Sequence, residues 1–263
     1  MARLPPDREK SGAVNAPEPP DQVLAGLPPK SPEEARLQVA AACRILAAHG
    51  HEDLTLGHVS VRGPDPRDVY IKGKGKALGE VGPDDVVVVK LDEPDGYRVA
   101  GAHLETVMHT ETYRARADVG AAIHTHPFFA TALGATASSL EYLSHDALLF
   151  NDGVGLYDAT AGLITTPEEG HAVVDALGQR RAVLLQNHGM LAVGSDIRWA
   201  TLAALTLERA VRVQVLASAL GKFTPIPEDE LDVLSPVKYQ EPFLDEYWSA
   251  WVRRLGSPPE PLW

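Results

Sequence analysis

The chain has 263 residues, 44% of them hydrophobic and 23% charged, with a formal net charge of -12. That composition suits one compact globular domain, and the acidic balance opposes nucleic acid and anionic membrane partners while permitting a local basic pocket for a small acid. A single cysteine excludes an internal disulfide, and no stretch approaches the ~20 apolar residues of a membrane span.

The opening MARLPPDREK has no apolar segment of the kind a secretory signal carries, so a cytoplasmic location is expected. Residues 1–30, with Pro5, Pro6, Pro17, Pro19, Pro20, Pro28 and Pro29, have the composition of a flexible Pro-rich arm. Order is expected from Ser31, an N-cap followed by Pro32 and, three residues on, by Glu34 to complete a capping box. Leu37, Ala41, Ile45 and Ala48 mark one helical face, and Gly50 ends the helix. Cys43 falls in this helix among alanines and leucines and reads as a small core residue rather than a nucleophile.

Short strands are predicted over 58–62, 69–71 and 86–91, separated by the glycine-rich KGKGKALGEVGPDD and the turn Glu93-Pro94-Asp95-Gly96. Residues 86–89 are continuously apolar, which predicts a strand covered on both faces. Next come a helix over 103–117, a buried strand over 120–124, a helix over 168–177 behind Thr166 and Pro167, and a strand over 182–186. The longest helix is predicted over 197–220. Helices interrupt strands without strict βαβ alternation, so the expected fold is α/β, a three-layer α/β/α sandwich around a mixed, mostly antiparallel sheet. Residues 31–221 hold the expected sandwich domain. Residues 222–263 form a tail in which Tyr247, Trp248, Trp251 and Trp263 suit either a last helix packed on its own core or a subunit contact.

Three histidines carry the chemistry. His124 and His126 follow a strand at i and i+2, so both imidazoles face one way and can converge on an ion. His188, in Gln186-Asn187-His188-Gly189, also follows an apolar strand, and Gly189 permits a tight turn beside a ligand. A bare trio also fits ordinary polar residues at a sheet edge; Glu105 shifts that balance. It sits at a helix start beside the line Leu104, Met108 and Thr112, which is predicted to bury against the sheet. A carboxylate there can be a fourth ligand or a general base, and the sequence does not choose.

Taken in order, Thr55-Leu56-Gly57-His58-Val59-Ser60, the Glu-x-x-x-His of Glu105 and His109, His124-Thr125-His126-Pro127 and Asn187-His188-Gly189 resemble the class II aldolase/adducin family over about residues 31–221. The resemblance implies the α/β/α fold, a homo-oligomer with sites between subunits (most simply a tetramer), and one divalent metal held by His124, His126 and His188. Zn2+ is the implied ion, with Fe2+, Mn2+ or Co2+ as alternatives. It implies too that Glu105 moves a proton while the ion acts as a Lewis acid on two substrate oxygens.

Two departures from the family's sugar-phosphate aldolases bear on substrate. The family's glycine-asparagine step is Gly57-His58 here, and Ala102, His103 and Leu104 replace the small hydroxyl residues before the glutamate. The loop Lys72-Gly73-Lys74-Gly75-Lys76 offers cations and free N–H groups suited to a carboxylate, or is simply solvated. His58, Ser60, Lys72, Lys74, Tyr113 and His145 are the candidate substrate contacts. Tyr113 equally suits packing, and His109 is read as a buried structural histidine. The reaction expected is C–C cleavage, aldol or decarboxylative, of an unphosphorylated hydroxy, oxo or aromatic carboxylic acid. The alternative within the family is an Fe(II)-dependent oxygenase of a hydroxyphenylpyruvate-type acid. A non-catalytic adducin-like scaffold fits less well, because this chain keeps all three histidines and the glutamate.

Overall fold

The computed structural model describes residues 26–255, so Trp263 and most of the proline-rich arm lie outside the described residues. Helix ends follow from local capping. In α1 (Pro32–Ala48) Ser31 Oγ accepts the Glu34 N–H at 3.1 Å, while the Glu34 carboxylate reaches past Ser31 to the Lys30 N–H. At α4 (Pro167–Leu177) the box is reciprocal: Thr166 Oγ1 accepts from Glu169 N at 3.2 Å and Glu169 Oε2 accepts from Thr166 N at 3.0 Å. α5 (Ile197–Leu220) begins where Asp196 accepts from the N–H groups of Arg198 and Trp199.

Seven strands form one sheet: β1 (His58–Arg62), β2 (Asp68–Lys72), β3 (Val86–Lys90), β4 (Ala121–Thr125), β5 (Gly155–Tyr157), β6 (Ala182–Leu185) and β7 (Gly189–Gly194). Their order is β3-β2-β1-β4-β7-β6-β5, antiparallel throughout except for β5 against β6. Side-chain alternation sorts the two faces. Val59, Val61, Ala121 and Ile123 join the core beneath α1, α5 and the short α3 (Phe128–Gly134). Ala122 packs on the other side with Val107 and Met108 of α2 (Thr106–Ala115) and Val173 and Leu177 of α4. By the same alternation His58, Ser60 and His124 face α2. The layers and the mixed, mostly antiparallel sheet are those of an α/β/α sandwich.

The structure departs from the sequence reading at several elements. β3 is an edge strand, with Val87 and Val88 only half-buried, so its apolar run is not covered on both faces. α2 starts at Thr106 rather than 103, with Glu105 at its N-cap position. Leu104 therefore precedes the helix and is 71% exposed, off the buried line of Met108 and Thr112. The sequence reading has no counterpart of β5, β7 or α3: β5 and α3, of three and seven residues, are too short for a period to show, and β7 is apolar or glycine at all six positions, without alternation.

The tail forms α6 (Glu228–Lys238) and α7 (Glu241–Arg253). α7 packs on the chain's own core: Trp248 is buried with residues of α1 and α5, and Tyr247 and Trp251 are half-buried beside it. The buried Arg198 fastens α7 to the start of α5 by bonding Asp196, Glu241 and Asp245. No described helix is long and apolar enough to cross a membrane.

Candidate metal centre

The site gathers where β4 ends against the β6–β7 turn. That turn is tight: Asn187 is left-handed at φ 56°, and the His188 N–H donates to Leu185 O at 3.0 Å. A Cβ on Gly189 would stand 2.6 Å from Thr125 O and 2.5 Å from the His126 ring, so only glycine lets the turn press against the end of β4. This contact brings His188 beside His124 and His126. One ligand atom from each of the three lies within 4.8 Å of the others.

Outer hydrogen bonds orient the rings. His124 Nδ1 lies 2.9 Å from Met190 O, a pure acceptor, so Nδ1 carries the hydrogen and Nε2 a lone pair. His126 Nδ1 lies 3.0 Å from Asp53 Oδ2, which imposes the same tautomer. The two Nε2 atoms, both acceptors, then face each other at 3.0 Å. Two imidazole lone pairs at that distance repel unless a cation lies between or beside them. His188 adds a buried ring with no hydrogen-bond partner at either nitrogen. Burial first, and then the neighbouring rings, hold His124 far below the usual histidine range and His188 down to about 4, so these are neutral donors suited to a divalent ion. The residues fit a metal.

Glu105 closes the other side. Its Oε1 accepts the Ile164 N–H at 2.9 Å and lies 3.5 Å from His188 Nε2; its Oε2 lies 3.6 Å from His124 Nε2 and 4.0 Å from His58 Nε2. Burial raises its pKa, against the opposing pull of the Ile164 N–H. His58, Glu105 and His124 form a second group of close ligand atoms, so the carboxylate is shared between the trio and His58.

The remaining candidates fall in three places. Ser60 and Tyr113 are buried behind His58, with Ser60 Oγ 2.8 Å from the Tyr113 hydroxyl, so neither is an open substrate contact. His109 joins them: its Nε2 is 2.7 Å from His58 Nδ1 and its Nδ1 is 2.7 Å from Ser60 Oγ, which makes it more than helix packing. Burial pushes the His109 pKa down to about 3. Lys72 is not a loop cation: it ends β2 wholly buried, its ammonium bonding Thr55 O, Gly73 O and His103 Nε2. Lys74 is exposed. His145 sits exposed ahead of the 3-10 turn Ala147–Phe150 that packs with α5 and α6, on the far face of the sheet.

Asp53 went unnoticed in the sequence, because it stands in an irregular loop with no spacing to tie it to the histidines. As the group that aims His126, it predicts its own test. Asp53→Ala is expected to weaken Zn2+ binding by about 10–100-fold while the fold stands, read by competition with a chromophoric chelator. Unchanged affinity would mean that His126 needs no such support.

A buried His/Glu cluster of this kind, at the strand ends of an α/β/α sandwich, supports metal-dependent catalysis. Residues 37–215 match the family model described as Class II Aldolase and Adducin N-terminal domain, and the chain belongs to that family. The chain is 31% identical over 204 residues to the 3,4-dihydroxyphthalate decarboxylase of Rhodococcus jostii, covering 72% of this chain and 82% of that protein. It is also 31% identical over 195 residues to the 4-hydroxy-3-prenylphenylpyruvate oxygenase/4-hydroxy-3-prenylbenzoate synthase of Streptomyces roseochromogenus subsp. oscitans, covering 72% and 70%. L-fuculose 1-phosphate aldolase from Glaciozyma antarctica PI12 shares the fold, with a TM-score of 0.75 at 24% identity over 91% of this chain and 99% of that one.

Proposed function

We propose that the chain is a divalent-metal-dependent lyase that breaks a C–C bond, by aldol cleavage or decarboxylation, in an unphosphorylated hydroxy, oxo or aromatic carboxylic acid. The observation that carries this reading is the pair of acceptor Nε2 atoms at 3.0 Å with the unpartnered His188 and the Glu105 carboxylate beside them. His124, His126 and His188 would hold the ion, Zn2+ most simply. When bound, it supplies Lewis-acid polarisation of a substrate carbonyl. Glu105 is anchored at Oε1 by Ile164, which leaves Oε2 to take or return a proton at the substrate.

The absence of small hydroxyl residues at 102–104 and the likeness to a dihydroxyphthalate decarboxylase favour an acid over a sugar phosphate. With Lys72 buried, the exposed Lys74 is left as the cation for a substrate carboxylate. A homo-oligomer, most simply a tetramer, belongs to the same proposal; exposed Leu216 and Leu220 of α5 and Val233 and Val237 of α6 offer apolar contact area.

The second reading, an Fe(II)-dependent oxygenase, is favoured by the likeness to the prenylphenylpyruvate oxygenase. One experiment separates them. Protein reconstituted with Zn2+ or with Fe2+ is assayed under argon and in air against hydroxy, oxo and dihydroxyaromatic acids and against fuculose 1-phosphate. Turnover of an acid under argon is expected. Strict dependence on O2 would select the oxygenase, and preference for the sugar phosphate would overturn the substrate class.

A further inference from the structure

Behind the centre runs a buried chain of polar groups that metal binding does not require. From the core outward it is Tyr113 hydroxyl, Ser60 Oγ, His109 Nδ1 and Nε2, and His58 Nδ1, at successive distances of 2.8, 2.7 and 2.7 Å. It ends at His58 Nε2, which faces Glu105 Oε2 at 4.0 Å. His58, Ser60, His109 and Tyr113 are all fully or almost fully buried, and of the four only His58 faces Glu105. Buried networks of this kind persist only when their hydrogens are fully assigned.

That assignment has two solutions. Among the described residues Ser60 Oγ is the one side-chain partner of the Tyr113 hydroxyl, so the phenol hydrogen goes to Ser60 in both. In the first, Ser60 passes its own hydrogen to His109 Nδ1 at 2.7 Å, His109 Nε2–H donates to His58 Nδ1, and His58 carries its hydrogen on Nε2. In the second, Ser60 turns its hydrogen to Ala122 O at 3.4 Å, every ring reverses, and His58 shows a bare Nε2 to the site. Geometry separates them. A hydroxyl donor prefers about 2.7–2.8 Å, which matches the bond to His109, whereas 3.4 Å is long for an O–H donor. The Glu105 carboxylate also draws an N–H, not a lone pair, to the His58 end.

We propose that the Tyr113–Ser60–His109 chain locks His58 as an Nε2–H donor, which binds a substrate oxygen between Glu105 and the histidine trio. His58 is thus assigned as a substrate-binding residue and Tyr113, Ser60 and His109 as positioning residues. The proposal rests on the reading of His124, His126 and His188 as a metal centre for its substrate, but the tautomer does not depend on that reading. An N–H donor suits a carboxylate or an oxygen that gains charge during reaction, and repels a second cation or donor.

The test has two arms. In 15N-histidine-labelled, metal-free protein, two-bond 1H–15N correlations report the tautomer of each ring. His58 is expected with its hydrogen on Nε2, and Tyr113→Phe, which removes the first hydrogen of the chain without touching the site, is expected to change the His58 pattern. A wild-type His58 protonated on Nδ1 overturns the proposal, whether or not the chain binds metal. The second arm measures oxalate, a two-oxygen chelator, binding to the Zn2+-loaded protein. His58→Leu is expected to lose about 10-fold in affinity, and His58→Gln, which keeps an N–H near the Nε2 position, to recover most of it. Equal affinity of the Leu and Gln variants, with zinc stoichiometry intact in both, would also overturn it. Failure of the wild type to take up zinc would count against the metal centre alone.

Discussion

His188→Ala is expected to lose more than about 100-fold in affinity for Zn2+, since replacing even an outer partner of a ligand commonly costs 10–100-fold and this substitution removes a proposed ligand itself. The ring stands in a turn and neither of its nitrogens makes a hydrogen bond, so the fold loses little with it. That separation makes the experiment clean. Circular dichroism should be unchanged while elemental analysis of protein purified without chelator falls from one metal per chain towards none. Were the folded variant to keep stoichiometric zinc at wild-type affinity, the trio would be the wrong ligand set. His124→Ala is a poorer choice, because that ring is wholly buried under α2 and its loss opens a cavity in the sheet.

Glu105→Gln is expected to divide the two functions of the site the other way. The substitution keeps the size of the side chain, and the amide oxygen can still accept the Ile164 N–H, so the carboxamide can remain at the N-cap position of α2. It cannot take a proton at Oε2. Turnover is expected to fall by about 100–10,000-fold, the usual worth of a positioned general acid or base, while metal content stays at wild-type level. The paired measurement matters, because Oε1 and Oε2 lie only 3.5 and 3.6 Å from His188 and His124. Loss of zinc together with activity would make Glu105 a fourth ligand. A near-native rate would remove it from the mechanism.

Much of this architecture is legible in the sequence because it rests on local rules. Ser31-Pro32 and Thr166-Pro167 announce helix starts by capping chemistry, and α5 runs over the expected residues. The strand-end placing of His124 and His188 follows from the apolar runs before them. What escaped depends on packing between distant segments. A lysine in a glycine-rich stretch looks solvated; only the closeness of Thr55 and His103 turns Lys72 inward. The valine run of β3 looks central, and nothing within it says that β2 is its one neighbour in the sheet. His109 lies one helical turn after Glu105, but its worth comes from Ser60, in a strand whose register against β4 no local pattern specifies.

The strand order has a consequence for how the molecule comes together. β1, β2 and β3 stand on one side of β4 and β7, β6 and β5 on the other, so within the sheet the two halves of the chain meet only through that strand. The side chains that converge on the centre are divided across this seam: Asp53, His58 and Glu105 precede β4 in the chain, His124 and His126 belong to its end, and His188 follows. No hairpin or other local fragment contains the set. Closing the loops from Asp53 to His126 and from His126 to His188 costs chain entropy that no contact made early in folding repays. A cation held by this set would therefore recognise only the finished fold, and by mass action it would stabilise that state over every partly assembled one.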